Sequence, residues 1–127
     1  HETVDEVQIP GRDGYLGILP GHAPLLSELQ QGELSYRRGR EWHYLTIFWG
    51  FVEVLPERVV VLAEAGERAE DIDIERARQA RRRAQDRLKS PPDSDVNFDR
   101  ARVALERSMI RLQVAGRASA GVRSSRP

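Results

Sequence analysis

The feature that most constrains this chain is a change of hydrophobic period after Glu64-Ala65-Gly66. Before it, Gly, Pro and Asp-Gly signals punctuate short runs rich in Val, Ile, Leu and aromatic residues, the pattern of short strands. After it, residues 73–88 contain neither Gly nor Pro and are dense in Ala, Arg, Gln and Glu, which favour helix. A chain that changes period this way reads as α+β. It predicts a small antiparallel β-sandwich or barrel over residues 1–66 and a C-terminal antiparallel two-helix hairpin over residues 67–116. The Gly-, Ser- and Arg-rich end, residues 117–127, is expected to be a disordered tail.

Two strand hairpins can be placed. Gly32–Tyr36 and Trp42–Phe48 flank Arg37-Arg38-Gly39-Arg40, and Gly50–Leu55 and Arg58–Leu62 flank Pro56-Glu57. In the second pair Phe51, Val52, Val54 and Leu55 are too apolar for a solvent-facing edge. In the first helix, Ala77, Ala80, Ala84 and Leu88 share one face, with Asp73 as N-cap. Ser90-Pro91-Pro92-Asp93 ends it, because proline cannot continue a helix. Asp95 or Asn97 can cap the second helix. That helix is expected to bury Phe98, Ala101, Leu105, Ser108 and Leu112 and to stop near Ala115, with Gly116 beyond its last turn. Alanine stripes bury little area, roughly one methyl per residue, so the hairpin needs docking on the sheet or on a partner and is a candidate for movement.

Composition removes several function classes. With no cysteine there is no disulfide or thiolate chemistry, and His1, His22 and His43 share no metal-ligand spacing. The longest apolar run, Val59–Ala63, suits a buried strand rather than a membrane span, so no direct membrane insertion is expected. The start at His1 leaves the natural beginning of the chain open. Net charge is zero but unevenly placed. Residues 1–66 carry 5 Arg against 10 Asp and Glu (net −5), and residues 67–127 carry 14 Arg and Lys89 against 10 acids (net +5). The basic residues alternate with Ala and acids, and no reader motif accompanies them, so nucleic acid is not an expected partner. No nucleophile–base pair can be placed either, which argues against an enzyme acting by itself.

The run from Ile9 to Leu26, containing Gly11-Arg12-Asp13-Gly14 and Pro20-Gly21-His22-Ala23-Pro24, resembles the signature of the epsilon subunits of bacterial F-type ATP synthases. Gly50-Phe51-Val52-Glu53-Val54 resembles a further strand of that family, and the stretch from Val61 to Asp73 resembles its sheet-to-helix junction. The resemblance implies a β-sandwich followed by a two-helix hairpin, in a non-catalytic rotor subunit. It implies gamma and the c-ring of Fo as partners, with Asp13 and His22 as candidate rotor contacts. Family chains carry one more strand before the stretch that begins here at His1. An open sheet edge is therefore expected, and open edges invite pairing. The resemblance also implies a peripheral position on the cytoplasmic face of the bacterial plasma membrane. Its helices have two arrangements, one folded down on the sandwich and one extended into the alpha and beta subunits, where it blocks ATP hydrolysis.

Ile72-Asp73-Ile74-Glu75-Arg76-Ala77 matches a family motif associated in some members with ATP. The matched positions are Glu67, Asp73, Arg76, Arg83, Arg107 and Arg111. Arg107 and Arg111 are four apart and so share a helix face, where arginines can hold phosphates by charge-assisted hydrogen bonds. No GxxxxGK[ST] loop and no general base accompanies them, so binding without hydrolysis is expected, with ATP a regulatory ligand and no cofactor required.

Overall fold

A computed structural model describes residues 3–11, 14–64, 66–89 and 95–124. Seven strands come first: β1 (Glu6–Gly11), β2 (Gly14–Ile18), β3 (Leu25–Leu29), β4 (Gly32–Arg38), β5 (Glu41–Ile47), β6 (Gly50–Leu55) and β7 (Arg58–Ala63). A 3₁₀ turn (Ala69–Asp71) leads to α1 (Ile74–Lys89) and α2 (Asp95–Ser124).

β1 lies between β2 and β4, pairing antiparallel with both. It meets β3 only at Gly11–Leu29. The sheet is thereby divided into two leaves, β5-β4-β1-β2 and β3-β6-β7, joined at that corner. Alternating residues from both leaves face inward and form one core: Val7, Ile9, Ile18, Leu34 and Ile47 from the first, Leu29, Val52 and Val54 from the second. Each fully buried side chain of this kind contributes roughly 1.5–3 kcal/mol. The turns follow their sequence signals. Gly39, at φ 63°, supplies the left-handed position between β4 and β5 and donates its N–H to Asp5 Oδ2 at 2.7 Å. Pro56-Glu57 joins β6 to β7 with Leu55 opposite Arg58.

β6 is an interior strand, as its apolar content requires, yet its outward Phe51 remains exposed. The outer edges of β5 and β7 have no strand partner among the described residues, apart from a single bridge between Leu45 and Arg68. A cleft of about 870 Å³, lined by residues such as Leu34, Tyr36, Leu45, Val59 and Val61, lies along them.

The expected face of α1 is the one that packs: Ala77 and Ala84 are buried, and Ala80 and Leu88 half-buried. In α2, Ala101 and Ser108 are buried and Leu105 and Leu112 half-buried. Three expectations for this region are corrected. Phe98, in the first turn of α2, is 42 % exposed rather than buried. Neither Asp95 nor Asn97 is the N-cap, since the helix is already formed at Asp95. Most consequentially, α2 does not stop near Ala115. It runs on through Gly116 to Ser124, so the expected disordered tail is helical over 117–124. Gly in a helix interior costs about 1 kcal/mol, and tertiary packing offsets it. Ile110, Val114, Ala115 and Ala118 seat on Ala69, Ile72 and Tyr44, forming a second cluster outside the sandwich core. The proline break at 90–93 lies outside the described residues.

At 30 residues α2 is about 45 Å long, against about 24 Å for the 16 of α1. α2 therefore has two jobs. Along its N-terminal half it packs on α1, and further on it packs on β5 and the 3₁₀ turn.

Candidate functional site

The site begins at the outer face of β5. Leu45 and Ile47 face the core, so the alternate residues Tyr44 and Thr46, followed by Phe48, form a second stripe on the side that α2 covers. Thr46 holds the junction segment in place: its N–H donates to the Glu67 carbonyl at 2.9 Å, and its hydroxyl accepts from the Glu67 N–H at 3.0 Å. That fixes Glu67 opposite the helix.

Two arginines of α2 converge there. The guanidinium carbons of Arg107 and Arg111 lie 5.1 and 4.7 Å from the centroid of the Phe48 ring, within cation–π range. Arg111 Nε donates to Glu67 Oε1 at 2.7 Å, and Arg107 Nη2 approaches both oxygens of Glu64 at 3.5 Å. Arg107 Nε is buried without an acceptor. The same two arginines line a groove of about 560 Å³ between the helices, with Ala80, Val103, Ala104 and Arg100 among its other walls.

The other expected nucleotide contacts are placed less tightly. Asp73 caps α1, its Oδ1 accepting from the Arg76 N–H at 3.0 Å, which is the ordinary work of an N-cap. Arg76 and Arg83 are exposed, and their side chains have no partner among the described residues. Their spacing sets them on the face of α1 that also carries Ala80, which lines the groove. Thus Glu67, Arg107 and Arg111 form one cluster, while Asp73, Arg76 and Arg83 stand along α1.

Of the two rotor positions, Asp13 lies outside the described residues. His22 is exposed in the turn after β2, where its Nδ1 lies 2.7 Å from the Ala23 carbonyl and its N–H bonds the Leu19 carbonyl at 3.1 Å.

Sequence reasoning missed Phe48, Glu64 and a second clasp further along α2. There Arg117 Nε donates to Glu33 Oε1 at 3.1 Å and its guanidinium lies 5.6 Å from the Tyr44 ring. Gln31 bonds Glu106 nearby. The Glu33 side chain is only 10 % exposed, so removing its partner strands a carboxylate. Arg117→Ala is therefore expected to cost about 1–2 kcal/mol, seen as a fall of several degrees in thermal midpoint. Arg102→Ala, which breaks a solvent-exposed pair with Glu106, should cost no more than about 0.5 kcal/mol. Equal losses from the two variants would contradict this account of Glu33.

No helix of the structure is long and apolar enough to cross a membrane, and no metal-binding cluster of acids and histidines occurs among the described residues. The class so defined is a β-sandwich carrying an arginine-clasped two-helix hairpin. Family comparison makes the class specific. Residues 1–69 match the beta-sandwich domain of the ATP synthase delta/epsilon chain, and residues 70–116 match its long alpha-helix domain. The ATP synthase epsilon chain 2 of Syntrophotalea carbinolica is 48% identical over 120 residues, covering 94% of this chain and 87% of its own. The ATP synthase epsilon chain of Citrifermentans bemidjiense is 47% identical over 118 residues, covering 93% and 86%. This chain belongs to the ATP synthase delta/epsilon family and is thus a non-catalytic subunit type. Its fold is similar to that of a chain in the Euglena gracilis mitochondrial ATP synthase (OSCP/F1/c-ring). There the TM-score is 0.65 at 23% identity, covering 95% of this chain and 71% of that one.

Proposed function

We propose that this chain is the central-stalk coupling subunit of a bacterial F1Fo ATP synthase, peripheral at the cytoplasmic face of the plasma membrane, and that its hairpin is a movable brake on ATP hydrolysis. In the folded-down arrangement the hairpin lies on the sandwich. In the extended one it reaches the alpha and beta subunits. One observation carries the reading: α2 is clasped to the sandwich by three ion pairs whose arginines stay a third to a half exposed, and by a small apolar cluster, not by a large seam. Contacts of that kind open at modest cost.

Two exposed apolar regions support docking of the sandwich on other subunits. Tyr15 and Leu16 of β2 and Leu19 in the turn that carries His22 are exposed, and we assign them with His22 to the c-ring side. Leu62 and Phe51 are cross-strand neighbours on the outer face of β6 and β7. With Leu26, 72 % exposed on β3, they suit a surface for gamma.

ATP is the regulatory ligand in this reading, held in the interhelical groove with its phosphates on Arg107 and Arg111. Isothermal calorimetry of the full chain with ATP tests it. Saturable heat is expected for wild type, with at least a tenfold loss of affinity for the Arg107→Ala, Arg111→Ala double variant. Absence of saturable heat at millimolar ATP would remove the sensor function and leave the coupling role.

A further inference from the structure

Phe48 has no part in the expected nucleotide motif, yet both groove arginines lie against it. It is 4 % exposed, immediately after β5, and the guanidiniums of Arg107 and Arg111 both lie over its ring. Two like charges on neighbouring turns repel one another, and long arginine side chains carry much rotamer freedom. A buried aromatic face opposes both effects, attracting each cation and fixing its position without using any of its N–H donors.

The donor inventory matters here. Arg111 engages Glu67 through Nε, which leaves both of its terminal amino groups available. Arg107 engages Glu64 through Nη2, which leaves Nη1, and its buried Nε has no acceptor. The cluster is richer in donors than Glu64 and Glu67 can use. A phosphate chain entering the groove can accept from the remaining groups while both carboxylates stay bound. Such an anion would then tie α2 to the sandwich instead of prising it away.

We infer that Phe48 is a positioning residue, a platform that presents Arg107 and Arg111 together to a polyphosphate anion in the interhelical groove. This rests on reading the groove as a phosphate site, and it adds that β5 of the sandwich, not only the helices, builds that site. Anion binding is thereby coupled directly to the folded-down arrangement.

The test titrates the full chain with ATP and, separately, with inorganic tripolyphosphate, using wild type, Phe48→Leu and Phe48→Tyr. Leu keeps the apolar bulk but removes the π face, whereas Tyr keeps the face. Phe48→Leu is expected to bind both ligands about tenfold more weakly, and Phe48→Tyr to stay within about threefold of wild type. Wild-type affinity in Phe48→Leu, or equal losses in Leu and Tyr variants, would overturn the platform. Phe48-dependent binding of tripolyphosphate without any binding of ATP would uphold the platform and refute the nucleotide reading. No binding of either anion by wild type would refute both.

Discussion

Gly50→Ala is expected to lower the thermal midpoint of the chain by about 10 °C or more. Gly50 opens β6 and is paired on both sides, with Leu29 of β3 and Ala63 of β7. A Cβ there would overlap the Leu62 carbonyl oxygen and stand 2.8 Å from Ala63 Cα. Both obstacles are backbone, so no rotamer change can relieve them. The strands must separate at this end, and overpacking of this kind costs about 3 kcal/mol or more. At roughly 3–4 °C per kcal/mol for a chain of this size, the predicted shift follows. The damage also reaches the site, since the Glu64 N–H bonds the Trp49 carbonyl at 2.7 Å, and Glu64 and Phe48 stand on either side of that link. Gly66→Ala is the control. Its Cβ would meet nothing nearer than the Thr46 carbonyl at 3.8 Å, so its midpoint should move by no more than about 2 °C. Circular dichroism melts of the two variants decide the matter. Similar midpoints would show that β7 can shift register to accept the methyl.

Gly50 also illustrates what the sequence made legible. The strand that it begins, its partner β7 and the turn between them follow from local signals alone, as does the alanine face of α1. Such features depend on residues within a turn or two of one another. The end of α2 was not legible in that way. Gly116 is a fair local stop signal, but Val114 and Ala115 are held by Ala69 and Ile72. Those contacts span more than forty positions, and no helix propensity reports them.

The site divides along the same line. The four-residue spacing of Arg107 and Arg111 announced a shared face, and the junction motif gave Glu67 and Asp73. Phe48 and Glu64 enter only when β5 is seen to carry apolar residues on both faces. The alternation Tyr44, Thr46, Phe48 beside Leu45 and Ile47 is the signal that could have revealed it, because a strand apolar on both sides is covered on both sides.

Val114→Asp should release the hairpin while leaving the sandwich intact. Val114 is fully buried in the cluster that seats α2 on Tyr44, Ala69 and Ile72. A carboxyl group placed there finds an apolar environment, at a cost of about 3 kcal/mol or more. The chain can avoid that cost by undocking, because the cluster shares no residue with the sandwich core. Hydrogen exchange should then show amides in the C-terminal half of α2 exchanging about a hundredfold faster, with those of β6 unchanged. The functional consequence has a definite sign under the brake reading. Undocking raises the population that can extend, so the variant added to an F1 complex lacking this subunit should inhibit ATP hydrolysis more strongly than wild type. Val114→Ala, which removes bulk without adding charge, should fall between the two. If α2 loses its protection and inhibition stays at the wild-type level, docking on the sandwich does not gate the brake. The arginine clasps would then serve only to keep a long helix folded.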